Sequence, residues 1–470
     1  MYFCGNSISM KFFLGIILIG LTFSCNTTNE VNNSTYFGGE IINPKSNFVL
    51  FLRDDKLVDT LLLDKNNRFL KEYKSLKEGL YTFKHGLEFQ YIYLEPTDSV
   101  LVRLNTWDFD ESLVFNGKGS NKNEFLINLF LQNEKEEYEK YNYFKLNEVA
   151  FQRKIDSLAT ERNAIFNHFS ETETEVSEGF KKLTDAAIQF PLYRFKEIYP
   201  YFYKRAHKLK EFQPATANFY GYRNSINLNE ENLVAFYPYQ NYIINYLYNL
   251  SYQLKETDPS KDNISLNLLN LIIEHIKLED FKNTLLKRIV LNDFFKSETT
   301  CGIDSDVMTV FEENCSNKNY IDEVKSLVHD SKIIVNNEPL NNFNVVSYNN
   351  ENTRILDIIK DQHTVIYFWS TKYMSSDYLL NRIKYLENKY PEILFIGINL
   401  HPTLDDIKND PSLKKLNLTK QYTLTADSYA HSFLTSLHPR AIIINKQGIV
   451  SNGFTYIDSH KFSSELNKLK

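Results

Sequence analysis

Cysteines are the residues best able to do covalent chemistry in this 470-residue chain, and their placement limits what they can do. Beyond Cys25 only Cys301 and Cys315 remain. They are not spaced C-x-x-C, and no second pair exists to complete a zinc site. A structural disulfide between them suits an oxidising compartment. Two separate, partly buried thiols are the other reading, and the spacing alone leaves both open. Five of the ten histidines (His363, His401, His431, His438 and His460) lie in the last part of the chain, none at i, i+4 spacing from another. Structural roles fit them better than metal ligation. The sequence contains no H-E-x-x-H, no P-loop and no G-x-S-x-G. Gly117-Lys118-Gly119-Ser120 lacks the third glycine of a dinucleotide fingerprint. Asp108/Asp110 and Asp405/Asp406 read as turn residues and solvated helix starts. No metal or cofactor is therefore expected.

Charge argues against one partner class. The chain carries 53 basic and 59 acidic residues, a net charge of -6, so no basic face for nucleic acid is expected. Tyr199–Lys210 mixes aromatic and basic residues and reads as a solvated helix face. A hydrophobic content of 43% is ordinary for folded chains, and the length suits about three domains.

Three periodicities divide the chain. Residues 35–116 read as an antiparallel β-sandwich domain. Asn47–Arg53 and Leu57–Leu63 flank Asp54-Asp55-Lys56 as a hairpin. Phe69–Tyr73, Gly79–Phe83, Phe89–Leu94 and Ser99–Leu104 continue the series, the last with Val100, Val102 and Leu104 on one face. Residues 117–335 read as an irregular α-helical domain. Leu269, Ile272 and Ile276 form one stripe, and Phe281, Leu285 and Ile289 another. Residues 336–470 alternate β and α. Strands are expected at His363–Trp369, Glu392–Leu400, Tyr422–Thr425, Ala441–Ile444 and Ile449–Ile457. A helix carries Leu379, Ile383 and Leu386, and another ends the chain, so an α/β sheet of mixed direction is expected.

The N-terminus reads as a targeting segment. Lys11 precedes an apolar run, Phe12–Phe23, too short to span a bilayer. Ser24-Cys25 follows, and the whole resembles a bacterial lipoprotein signal, with Leu21 one place further from the cysteine than that signal's usual leucine. The resemblance implies that residues 1–25 are the signal, Cys25 is lipidated and residues 26–34 are a tether. An ordinary signal peptide with an incidental Cys25 is the alternative. The expected location is the cell envelope.

Val365-Ile366-Tyr367-Phe368-Trp369-Ser370-Thr371-Lys372-Tyr373-Met374-Ser375-Ser376 resembles the active-site stretch of TlpA-like thiol-disulfide oxidoreductases. In that family an apolar strand leads through Phe-Trp-Ala-Thr to C-x-x-C at a helix start. Phe368, Trp369 and Thr371 match. Leu437-His438-Pro439-Arg440 and the strand after it resemble the family's cis-proline loop. The resemblance covers residues 336–470 and implies a thioredoxin-like fold there. It departs where the chemistry sits: Tyr373 occupies the nucleophilic cysteine's position and Ser376 the resolving cysteine's. Dithiol exchange needs a thiolate to attack and a second thiol to resolve. A phenol with a pKa near ~10 and an alcohol do neither. A peptide groove can outlast the chemistry, with Trp369 and Tyr373 as an aromatic floor beside His438 and Pro439. The bland alternative is a proline that turns the chain and aromatics that pack in place. Two functions follow: a non-catalytic lipoprotein binding a peptide or envelope protein, or a divergent oxidoreductase using Cys301 or Cys315 as a surrogate.

Gly38-Gly39-Glu40-Ile41, Asp59-Thr60-Leu61, Glu78-Gly79-Leu80-Tyr81 and Glu95-Pro96-Thr97-Asp98 are similar to the β domain that often precedes thioredoxin-like domains in envelope lipoproteins. That family commonly has Pro-Gly-Asp where this chain has Pro96-Thr97-Asp98.

Overall fold

The computed structural model describes residues 34–173, 175–212, 215–296, 302–401, 413–436, 438–459 and 461–469. The signal, Cys25, nearly all of the tether, Cys301 and His460 lie outside the described residues. The protein is multidomain. Among the described residues no helix is long and apolar enough to cross a membrane.

Among the described residues eight strands come first: β1 (Thr35–Ile42), β2 (Phe48–Arg53), β3 (Lys56–Leu62), β4 (Arg68–Tyr73), β5 (Gly79–His85), β6 (Glu88–Leu94), β7 (Ser99–Asn105) and β8 (Val114–Lys118). They form two four-stranded sheets, β4-β1-β7-β8 and β3-β2-β5-β6. Their inner faces share one core in which the rings of Phe37 and Phe51 lie 5.1 Å apart. Alternation along β7 sends Val100, Val102 and Leu104 inward and leaves Leu101 exposed. The expectation of a wholly antiparallel sandwich needs one correction, because β1 pairs with β7 in parallel. That pairing brings Gly39 so close to Val102 that a Cβ would stand 2.3 Å from the Val102 carbonyl oxygen. A glycine permits the approach.

Helices follow: α1 (Ser120–Tyr143), α2 (Glu148–Thr172), α3 (Glu178–Ala206), α4 (Tyr237–Thr257), α5 (Ile264–His275), α6 (Glu279–Lys296), α7 (Ser305–Asn314) and α8 (Lys318–Ile333). Asn147 and Ser177 cap α2 and α3 by accepting from the N–H groups of Ala150 and Phe180. The two stripes centred on Ile272 and Leu285 are buried in one core. α1 is tied to the sandwich by Asn123, whose side chain accepts from the Tyr93 N–H at 2.6 Å and donates to the Tyr93 carbonyl at 2.9 Å. Tyr199–Lys210 differs from the expected solvated face. Tyr199 is buried and stacks on Phe151 at 4.1 Å, and only the basic half faces solvent.

The last part contains β9 (Asn344–Ser347), β10 (Asn352–Arg354), α9 (Ile355–Ile358), β11 (Thr364–Trp369), α10 (Ser376–Lys389), β12 (Leu394–Asn399), β13 (Gln421–Leu424), β14 (Arg440–Ile444), β15 (Val450–Thr455) and α11 (Phe462–Asn467). The seven strands form one sheet, β10-β9-β13-β12-β11-β14-β15. β11, β12 and β13 run parallel, while β14 is antiparallel to β11. All six residues of β11 are buried because apolar clusters cover both faces of the sheet.

Candidate functional site

β11 ends at Trp369, and the turn after it is set by backbone and hydroxyl groups. The N–H groups of Tyr373 and Met374 donate to the Ser370 carbonyl at 3.1 and 3.2 Å. The Ser370 hydroxyl accepts from the Lys372 N–H and lies 3.0 Å from Nδ1 of His401. Ser375 caps α10 by accepting from the Tyr378 N–H at 3.2 Å, which places Ser376 at the first helical residue. Tyr373 therefore projects from a helix entry, 53% exposed. Its ring lies parallel to that of His438 at 5.9 Å and tilted to that of His401 at 6.1 Å.

Trp369 is not part of any groove floor. It is 1% exposed, sits in the core beneath α10, and donates its indole N–H to Gln421 at 3.1 Å. The all-apolar strand hid its direction: residues of β11 pack on both faces, and the tryptophan points to the helix side. The expected cis-proline loop also differs. Among the described residues no peptide bond is cis, the bond into Pro439 included. Pro439 itself is buried and His438 half-buried.

The loop carrying His438 and Pro439 is held from outside the sheet. Asp330, buried near the end of α8, accepts four hydrogen bonds: from the N–H and hydroxyl of Thr435 at 3.0 and 2.7 Å, and from those of Ser436 at 2.9 and 2.6 Å. Arg440, buried at the start of β14, donates to the Asp330 carbonyl at 3.0 Å and the Phe433 carbonyl at 2.5 Å. Its guanidinium lies 4.9 Å from the ring centre of Phe454 and 5.2 Å from that of Phe433. Burial lowers its pKa to about 10.

A further aromatic closes the site. Phe295, near the end of α6, stands edge-on to His438 at 5.6 Å and to Tyr456 at 5.2 Å. Burial pulls the His438 pKa below the ordinary histidine value, and Nδ1 of its ring has no hydrogen-bond partner among the described residues. Burial, then the charge of Lys372, lowers His401 in the same direction.

The structure thus sets Tyr373 against His438, with Ser376 at the helix start after Tyr373 and Pro439 next to His438 in the chain, and buries Trp369 in the core. Sequence reasoning missed Asp330 and Phe295, which arrive from distant segments and leave no local signal, and it named Arg440 without its role in holding the loop. No thiol stands at this site among the described residues. Cys315 is a buried free thiol in the helical core that donates to the Asn317 carbonyl, and burial raises its pKa. The proposed pairing with Cys301 falls outside the described residues. No group of three or more His, Cys, Asp or Glu side chains among the described residues is arranged to hold a metal.

No family model matches the sequence, and no curated protein matches it. Solved structures do. A thiol-disulfide oxidoreductase from Bacteroides fragilis aligns over 28% of this chain and 100% of its own, with 14% identity and a TM-score of 0.25. The thioredoxin domain of a thiol-disulfide oxidoreductase from Bacteroides vulgatus aligns over 29% of this chain and 99% of its own, with 13% identity and a TM-score of 0.23. A thiol:disulfide interchange protein from a Bacteroides species aligns over 25% of this chain and 80% of its own, with 16% identity and a TM-score of 0.21. The structural neighbours of this chain are thus thiol-disulfide oxidoreductase domains, matched over less than a third of its length.

Proposed function

We propose that residues 336–470 are a thioredoxin-like module without redox chemistry, in an exported envelope protein anchored through Cys25, and that this module holds a peptide or protein partner. The observation that carries the reading is Tyr373. It stands at the helix entry where the resembled family has its nucleophile, half exposed and stacked against His438. A phenol there gives a partner an aromatic face and a hydrogen-bonding tip but forms no disulfide. Ser376, one turn on, offers no resolving thiol. Tyr373, His401 and His438 form the docking face, with Phe295 at its edge. The envelope location rests on the N-terminal signal pattern.

Insulin-disulfide reduction with dithiothreitol tests the loss of chemistry. Wild type gives no acceleration, whereas Tyr373→Cys/Ser376→Cys gains activity because the helix entry is already built. An active wild type overturns the reading and turns attention to Cys301 and Cys315. The binding half is tested with envelope-derived peptides that the wild type retains: His438→Trp weakens them, and unchanged affinity removes the docking face.

A further inference from the structure

A second candidate site lies in the helical region, independent of the one above. α3 contains Pro200, which has no N–H for the Lys196 carbonyl and interrupts the helical ladder there. Asn249 of α4 reaches across and donates to the Glu197 carbonyl at 2.9 Å. Between these two helices opens a cleft of about 410 Å³, within the size range of small-ligand pockets. Its walls are aromatic. Tyr201 and Tyr252 have ring centres 4.9 Å apart, Tyr248 lies 6.2 Å from Tyr252, and Phe202 and Ile198 add to the lining.

The floor fixes the ligand's charge. Glu197 is fully buried, and its carboxylate accepts from Tyr222 at 2.7 Å, from Arg223 Nε at 3.0 Å, from Arg223 Nη2, and from Asn249 at 2.7 Å. Four donors fill what two carboxylate oxygens can accept, and Arg223 balances the charge. The floor therefore has no spare charge for an ionic ligand. The free hydrogen-bonding groups on the lining are neutral, and the cation Lys296 stands behind one wall with its ammonium 5.6 Å from the Tyr248 ring centre. The phenols of Tyr248 and Tyr252 have no hydrogen-bond partner among the described residues. Asn245 uses its amide N–H to bond Asn241, which leaves its carbonyl oxygen as an acceptor.

Aromatic faces with free phenols and one amide acceptor, over a charge-neutral floor, suit a ring that is apolar on its faces and hydroxylated around its edge. We propose that this cleft binds a neutral carbohydrate. The sugar's C–H face lies on Tyr252, which Tyr201 backs from its place against Phe212, and its hydroxyls bond Tyr248 and Asn245.

Saturation-transfer NMR on the full chain tests this. The probes are glucose, galactose, mannose and N-acetylglucosamine, with their neutral disaccharides. At least one of them receives magnetisation from the protein. Tyr252→Ala, a partly exposed position whose loss leaves the core intact, then weakens that binding on the order of tenfold. Asn245→Ala weakens it as well, while glucuronate and glucosamine bind no better than in either variant. The proposal fails if none of the neutral sugars binds. It fails equally if binding is unchanged in both variants, or if only a proline-rich peptide perturbs the tyrosine resonances.

Discussion

Thr97 in the sandwich and Tyr373 at the end of β11 each replace the residue that a resembled motif carries, but the two replacements act on different properties. At Thr97 a β-branched residue stands where the resembled motif has glycine, and its φ is +72°, a left-handed conformation that such a residue adopts only at a cost. The surroundings hold it there. The buried Asp98 accepts from the Glu95 N–H at 2.9 Å, Lys122 pairs with both Asp98 and Glu95, and the Thr97 N–H donates to Thr35. At Tyr373 no conformational cost arises, because the turn and its Ser375 cap accept any side chain that points to solvent. What differs there is the functional group, a phenol where the resembled motif has a thiol. Thr97 carries a backbone strain, whereas Tyr373 carries none and differs only in the group it presents.

A buried carboxylate near each site explains why both geometries persist, and Asp330 offers the largest test. Asp330→Ala removes the acceptor for four donors on Thr435 and Ser436 and loosens the loop that places His438 against Tyr373. A loss of about 3 kcal/mol is expected from chemical denaturation, since hydrogen bonds to a buried charge are the costly ones to break. Unchanged stability would mean that α8 does not hold this loop.

Thr97→Gly sharpens the other side of the comparison and runs in the opposite direction. Relief of the left-handed strain favours the variant by about 1–2 kcal/mol. Glycine's greater freedom in the unfolded chain takes back about 0.5–1 kcal/mol. The Lys118 ammonium also loses its 2.5 Å bond to the exposed Thr97 hydroxyl. A net gain of about 0.5 kcal/mol remains, visible as a small rise in Tm. A destabilised variant would show that the hydroxyl, not the backbone, decides this position.

Both replaced positions were legible in the sequence, because the flanking residues that set the motif survive. The alternation of β7, the helical stripes and the buried run of β11 were legible for the same reason: period reports burial directly. Pairing partners were not. Nothing local in Gly38-Gly39 distinguishes a parallel neighbour from an antiparallel one. A strand covered on both faces, as β11 is, gives no alternation from which to read the direction of Trp369. Asp330 looks like any acidic residue near a helix end, and Phe295 like any apolar residue on α6, until the last sheet is packed beside them.

His438 gives the smallest and most specific test of the corner, through pH. Its ring faces Tyr373 and Phe295, with the charges of Glu323 and Lys287 nearby. Burial outweighs the rest and makes the folded ring harder to protonate than an exposed histidine. Below a pH of about 6.5 the unfolded chain binds a proton that the folded ring refuses, so stability falls as pH falls through that value. His85 and His401 are lowered in the same way and add to the slope. His438→Phe keeps a flat ring against Tyr373 and removes one of the three contributions. Its stability therefore declines less steeply between about pH 7 and pH 5 than that of the wild type. Parallel slopes would show that His438 takes up its proton freely in the folded protein. The unpartnered Nδ1 would then be open to water, and the contact with Phe295 would be too loose to form the edge of a docking face.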